Sequence, residues 1–145
     1  MTAVTTVTTL EPGPWVEYLS GAECWERLDG ADVGRIGVLV DSAPEIYPIN
    51  FVVADHTIVF RTDPGSKLHG LDRSPSVCFE VDGIDRDDRS GWSVLVKGRA
   101  AELLTAEDRR AVEALPLELW GLGAKDHWVR IQPVEVTGRR IHRRT

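Results

Sequence analysis

The chain has 145 residues, of which 42% are hydrophobic and 28% charged, as is usual for one globular domain. Its 17 Lys and Arg against 23 Asp and Glu give a formal net charge of −6, which argues against partners such as nucleic acid or an anionic membrane. The two cysteines, Cys24 and Cys78, have no CxxC spacing, so a reducing, cytoplasmic location is expected. No apolar stretch approaches the ~20 residues that a bilayer span requires.

The N-terminal part contains a disordered-looking segment followed by a clear helix start. Residues 1–19 are rich in Thr and contain a Pro-Gly-Pro sequence, so we predict a flexible lead-in there. Residues 20–145 are predicted to form one domain. Ser20 and Glu23 match a capping box, which predicts a helix that ends at Gly30.

The middle of the chain is typical of strands. Runs over 33–40, 45–53 and 57–62 are rich in Val, Ile and aromatic residues, and the turns between them are short. This spacing predicts an antiparallel meander rather than βαβ units. Pro48 lies inside the second run and predicts an edge strand or a bulge there, because proline cannot donate to a ladder.

The later elements continue the same pattern. In chain order they are a short helix at 67–71, a strand at 76–81, a polar loop at 82–91, a strand at 92–104, a helix capped by Thr105, a strand at 128–137 and a basic tail at 139–144. Six strands with few helices predict a mainly β chain, folded as a closed or nearly closed antiparallel β-barrel.

The segment from Arg61 to Lys67 is the strongest candidate for a binding site. It combines a strand end, a turn with Gly65 and a helix start, and it carries Arg61, Thr62, Ser66 and Lys67. A helix N-terminus presents unpaired amides, and hydroxyls, Arg and Lys add donors and charge, so the pattern suits a phosphate group. The alternative is that Ser66 only caps the helix and both cations are solvated.

Three blocks, read in order, resemble a known family. They are Pro48-Ile49-Asn50-Phe51, the Arg-Thr…Gly-Ser-Lys-Leu segment from Arg61 to Leu68, and the Gly-Trp-Ser…Lys-Gly-Arg-Ala strand from Gly91 to Ala100. Together they resemble the flavin-binding split-barrel superfamily of pyridoxamine 5′-phosphate oxidases and related flavin reductases, over roughly residues 24–140. The resemblance implies a six-stranded antiparallel split β-barrel of the FMN-binding type.

The resemblance also implies which residues contact the cofactor. The FMN phosphate and ribityl chain would be held by Arg61, Thr62, Ser66 and Lys67. The edge of the isoalloxazine ring would face the backbone of Pro48, Ile49, Asn50 and Phe51. Trp92 and Ser93 would approach the flavin from the other protomer of a homodimer with two shared sites. From the residues alone, Trp92 is equally a core aromatic, and Asn50 a strand-edge residue that bonds its own backbone.

The implied function is an FMN-dependent oxidoreductase that acts on a small organic substrate. A flavin carries hydride and electron chemistry itself, so no catalytic residue is nominated. The four histidines have no zinc-site spacing, and no metal is expected. Arg140-Ile141-His142 echoes the Arg-Leu-His element of the B6 oxidases, but the stretch before it is short, so oxidation of B6 phosphates is not inferred. The alternatives are a deazaflavin-dependent reductase and a non-catalytic flavin- or haem-binding module.

Overall fold

The computed structural model describes residues 15–121 and 125–142, without the side chain of Ser66. The elements, in chain order, are β1 (Val16–Tyr18), α1 (Gly21–Asp29), β2 (Val33–Val40), β3 (Ala43–Asn50), β4 (Val52–Ala54), β5 (Thr57–Thr62), α2 (Ser66–Arg73), β6 (Ser76–Asp85), β7 (Ser90–Glu102), α3 (Ala106–Glu113) and β8 (His127–Ile141). The mainly β class is confirmed. Among the described helices, none is long and apolar enough to cross a bilayer.

All eight strands belong to one antiparallel sheet. Its order is β3-β2-β6-β7-β8-β5-β4, and β1 pairs with β8. The sheet curls around a core whose fully buried side chains include Phe60 of β5 and Phe79 of β6. Strand β3 is an edge strand, which confirms the expectation drawn from Pro48. Strands β3, β4 and β1 each pair with one neighbour, so each has one side on which its backbone remains open.

The strand count is eight rather than six for two reasons. The predicted 45–53 strand is interrupted at Phe51, whose ring turns into the core and packs edge-on against Phe79, 4.8 Å between centroids. Its amide leaves the ladder and donates to the carbonyl of Asp32 at 3.3 Å. The second reason is β1, which the sequence pattern did not predict.

Strand β1 lies at the end of the predicted lead-in 1–19. Val16–Tyr18 pair with Ile141, Arg140 and Arg139 of β8, so this part of the lead-in belongs to the sheet. Cross-strand contacts of Glu17 add to the pairing, because its Oε2 lies 2.8 Å from His142 Nε2 and 3.8 Å from Arg140 Nη1. Arg139 and Arg140 of the basic tail therefore belong to the sheet, and residues 143–144 of the tail lie outside the described residues. Residues 1–14 of the lead-in lie outside the described residues.

The polar stretch 82–91 is also more ordered than predicted. Strand β6 continues to Asp85 and β7 begins at Ser90, so only a short turn between them is left. The ladder pairs Asp82 with Ser93 and Asp85 with Ser90. Backbone pairing to the neighbouring strand prevails over the low β-propensity of Asp.

The capping box of α1 is confirmed. Glu23 N donates to Ser20 Oγ at 3.2 Å, and Ser20 N donates to Glu23 Oε1 at 3.1 Å. The helix packs Cys24 and Leu28 into the core, and burial raises the pKa of the Cys24 thiol, as expected of an inert core thiol. Cys78, in contrast, is exposed. Its neighbours Val77 and Phe79 face inward, which directs Cys78 outward.

The outer face of the sheet carries both apolar and charged side chains. Leu39, Ile46 and Val134 are exposed on it. They lie beside an open groove of about 630 Å³. Next to this groove, Arg35 Nη1 contacts Glu80 Oε1 at 3.3 Å and Asp82 Oδ2 at 3.4 Å. Burial, followed by the adjacent Asp82, raises the pKa of Glu80 to about 7 against the opposing effect of Arg35.

The contact between Gly34 of β2 and the ring of Phe79 in β6 leads to a stability prediction. A Cβ added at Gly34 of β2 would lie 2.2 Å from Cζ of Phe79, a fully buried ring that has no room to move. We expect Gly34→Ala to lower the free energy of unfolding by about 1–3 kcal/mol, measured by urea unfolding. Gly30→Ala is the control, since its nearest neighbour would be an ordinary 3.5 Å away. Equal midpoints for the two variants would contradict the packing described here.

Candidate functional site

The turn between β5 and α2 forms the centre of the candidate site. The N-cap residue of α2 is Gly65, and none of the described side chains caps this helix. Ser66 is the first residue of the helix, so the N-cap position belongs to Gly65 and not to Ser66. Space beside Gly65 is open, with nothing within 4 Å of the position a Cβ would occupy. The helix start thus presents amide donors beside open space, as an anion-binding site requires.

Two lysines and one carboxylate surround this helix start. Lys125 Nζ lies 3.4 Å from Asp63 Oδ2. Lys67 Nζ lies 5.4 Å from the ring centre of Tyr47 and 5.9 Å from that of Phe60. It has no ion pair among the described residues. Burial first, and then the charge of Lys125, lower the pKa of Lys67, while Asp63 opposes both. One carboxylate shared by two lysines leaves a net positive site.

Thr62 lies on the core side of the same strand end. It is buried, and its Oγ1 donates to the carbonyl of Asp63 at 3.2 Å. The hydroxyl can therefore act toward a ligand only as a hydrogen-bond acceptor. Its ladder partner is His127, whose Nδ1 lies 2.7 Å from Glu102 Oε2. Sequence reasoning missed Lys125 and this His–Glu pair, because both reach the site from elements distant in the chain. No local motif marks them.

Arg61 lies on the opposite face of β5 from Thr62, as successive strand residues must. Its guanidinium carbon lies 4.9 Å from the ring centre of Trp128, and its Nε is buried without a hydrogen-bond partner. Arg61 is not among the charges that shift the pKa of Lys67. The structure therefore brings Thr62 and Lys67 to one end of the barrel and directs Arg61 to the outer side of the sheet.

The side chains of the segment Pro48–Phe51 have mainly structural roles. Ile49 and Phe51 are buried in the core, and Pro48 is exposed. Asn50 Oδ1 accepts from Trp120 N at 2.9 Å, and its Nδ2 donates to Asp32 O at 3.3 Å. The interpretation in which Asn50 bonds its own backbone is thus wrong.

The backbone of the same segment has a different position. Strand β3 pairs with β2 on one side only, and its other side is a sheet edge. Peptide groups on an unpaired edge are free to meet a ligand. This geometry is compatible with the expected approach of Pro48, Ile49, Asn50 and Phe51 to a ring edge.

Trp92 and Ser93 lie at the far end of β7 from the helix start. Glu102 ends β7 beside Val129, so Trp92 is separated from that end by roughly 30 Å of strand. The guanidinium carbon of Arg27 lies 5.0 Å from the ring centre of Trp92, and the indole covers Gly83. One chain therefore does not bring Trp92 together with Lys67.

A second cavity, of about 480 Å³, lies next to Trp92. It is lined in part by Ile84, Arg140 and His142. Arg140 and His142 both face Glu17, which neutralises part of their charge. In residues 15–121 and 125–142, no three His, Cys, Asp or Glu side chains are grouped to hold a metal ion.

The contacts of Asn50 generate a test of its role. Asn50→Ala removes the acceptor of the Trp120 amide and the donor to Asp32, each bond being worth about 0.5–1.5 kcal/mol. We expect faster hydrogen exchange at the Trp120 amide and a lower free energy of unfolding. Asn50→Asp keeps an acceptor for Trp120 and should retain that protection. Unchanged exchange in Asn50→Ala would show that the bond is not made in solution.

Comparisons with known proteins agree with this architecture. The chain is 35% identical over 131 residues to the uncharacterized protein Rv0080 of Mycobacterium tuberculosis, covering 87% of this chain and 86% of that one. A solved FAD binding protein from Mycobacterium smegmatis is 40% identical, with a TM-score of 0.74 over 87% of this chain and 98% of that chain. A solved FAD-binding protein from Mesorhizobium loti is 27% identical, also with a TM-score of 0.74, over 86% of this chain and 97% of that chain.

The fold matches those structures as a split β-barrel, which confirms the expected architecture apart from the strand count. The family model for pyridoxamine 5′-phosphate oxidase matches residues 20–140, nearly the whole of the described chain. The three blocks that carried the resemblance all lie inside this match. On the fold, the order of the blocks and the extent of the match, the chain belongs to the pyridoxamine 5′-phosphate oxidase family.

Proposed function

We propose that the chain binds a phosphorylated flavin, FMN, and acts in the cytoplasm as an oxidoreductase on a small organic substrate. The observation that carries the proposal is the uncapped start of α2 beside Lys67, a half-buried lysine without an ion pair among the described residues. The residues proposed to hold the phosphate and ribityl chain are Thr62, Ser66 and Lys67, together with Lys125. Arg61, the fourth residue expected there, lies on the opposite face of β5 and is left out of this site.

A bound phosphate would remove an electrostatic cost of this site. Burial disfavours the charged form of Lys67, and Lys125 repels it further, so the pKa of Lys67 is lowered. A dianion placed between the amides of α2 and the two lysines would offset both effects. The site is therefore better suited to a bound phosphate than to solvent alone.

The flavin itself is inferred from relatives and from the sheet edge. Two similar solved proteins are described as FAD-binding, so flavin binding occurs in this family. The open edge of β3 offers peptide groups to the rim of a planar ring. A bound flavin would supply hydride and electron transfer, while the chain would orient it and exclude water.

We propose that the site is completed by a second copy of the chain. Trp92 and Ser93 are too far along β7 to reach the α2 start of their own chain. A homodimer would bring them from the partner to the flavin of each site. The exposed apolar side chains of Leu39, Ile46 and Val134 on the outer face support association with a second copy.

The phosphate assignment is tested by comparing two flavins. We expect Lys67→Gln to weaken FMN binding about tenfold or more, as loss of a charge-assisted bond predicts, and to leave riboflavin, which has no phosphate, unaffected. Flavin fluorescence titration gives both affinities. Arg73→Gln, an exposed cation at the other end of α2, is the matched control. Equal loss for both flavins would place the phosphate elsewhere.

The lowered pKa of Lys67 adds a pH dependence to the same titration. The pKa of Lys67 lies below 10.5, the usual value for a lysine side chain. As the pH rises, Lys67 therefore loses its charge earlier than an exposed lysine does, and the FMN affinity of the native chain should begin to fall at that lower pH. Lys67→Gln should lack that early fall.

A colourless purified protein that fails to bind added FMN, or one that shows a haem band or binds only a deazaflavin, would contradict the proposal.

The shared site is tested by complementation between two defective chains. Lys67→Gln and Trp92→Ala homodimers should each bind FMN weakly. A heterodimer of the two should recover one intact site, built from Lys67 of one chain and Trp92 of the other. Titration of the isolated heterodimer, with its mass measured in solution, gives the number of strong sites. A monomeric native protein, or a heterodimer without a strong site, would contradict a shared site.

A further inference from the structure

Arg61 has a basic neighbour that the flavin site does not use. In the ladder between β5 and β8, Arg61 pairs with Trp128, and Val59 pairs with Arg130. Paired residues share a face, so Arg61 and Arg130 are diagonal neighbours on the outer side of the sheet, about 7–8 Å apart at the backbone. Trp128 shares their face, and its ring contacts the Arg61 guanidinium. Two cationic side chains therefore start from neighbouring positions on one face of the sheet.

Both arginines have a buried donor without a partner. The Nε atoms of Arg61 and Arg130 are the buried side-chain N or O atoms without a hydrogen bond in the described part of the chain. Each residue as a whole remains half-buried, which leaves access from solvent. Buried donors are nearly always satisfied, and a bound ion is one of the explanations for an exception. A guanidinium beside a second one, with no counter-charge, is costlier still.

The side chains around the pair do not supply the missing charge. The cluster beneath it is apolar and consists of Val59, Leu103, Val112 and Trp128. The nearby carboxylates are engaged elsewhere, Glu102 with His127 and Asp63 with Lys125. Over residues 15–121 and 125–142, neither Arg61 nor Arg130 makes an ion pair. The contact with the Trp128 ring stabilises the Arg61 guanidinium, but Arg61 Nε still has no hydrogen-bond acceptor.

We propose that Arg61 and Arg130 form an oxyanion site that binds a phosphate group on the outer side of β5, separate from the amides of α2 and Lys67. A guanidinium offers two parallel N–H donors that match the oxygens of a phosphate. One anion between the two guanidinium groups supplies the counter-charge that the described residues lack and cancels the mutual repulsion of the two groups. The site does not rest on the proposed function, and it stands if no flavin binds.

The phosphate could belong to a flavin cofactor or to a separate anion, and the chemistry of recognition is the same. Inorganic phosphate is the first probe, titrated by calorimetry into the native chain and into Arg130→Gln. We expect Arg130→Gln to weaken phosphate binding about tenfold or more, and Arg130→Lys to recover only part of it, because lysine keeps the charge without the fork. Arg110→Gln, an exposed arginine of α3, is the matched control.

Titrations with FMN, FAD and riboflavin identify the source of the phosphate. If the group is the cofactor's, Arg130→Gln weakens FMN or FAD, spares riboflavin, and inorganic phosphate competes with the flavin. If the anion is separate, phosphate binds equally well to the flavin-loaded protein. Either result supports the site, and phosphate binding lost in Arg130→Gln supports it even in a protein that binds no flavin. Unchanged affinity for phosphate, FMN and FAD in a folded Arg130→Gln variant would overturn it.

Discussion

The long antiparallel pairing of β7 with β8 sets the positions of both ends of the molecule. It runs from Gly91 opposite Ile141 to Glu102 opposite Val129, with one shift in register between Lys97 and Gly98. Gly98 is required at that shift, because an added Cβ would lie 2.5 Å from the carbonyl oxygen of Gln132. Strand β5 pairs with this ladder directly, and β3 is joined to it through β2 and β6. Trp92 is therefore held far from the α2 start in its own chain.

The chain is negatively charged as a whole, but positive charge is concentrated at two places. The net charge is −6, yet the α2 start collects two lysines around one carboxylate, and the outer side of β5 holds two arginines without one. Both groups border apolar side chains, where charge is poorly screened and is worth more than at an open surface. A net negative protein can therefore still bind a single phosphate tightly, while it repels a polyanion.

Much of the fold could be predicted because its signals are local. The capping box of Ser20 and Glu23, the β-rich run at 57–62 and the edge position of Pro48 each depend on neighbours in the chain. The elements that were missed depend on distant partners. Strand β1 exists through pairing with β8, and the break at Phe51 exists because Phe79 receives its ring.

The sequence by itself determined the family, the split-barrel architecture and the identity of the turn that starts α2, since motif order and strand periodicity are properties of the chain. Only the tertiary structure decided how the candidate residues are grouped. Adjacent in sequence, Arg61 and Thr62 face opposite sides of β5, because side chains alternate along a strand. Arg61 thereby joins Arg130, and Lys67 joins Lys125, across ladders and turns that no local pattern records. Strand register determines which charged side chains become neighbours, and the register is fixed only when the strands pair.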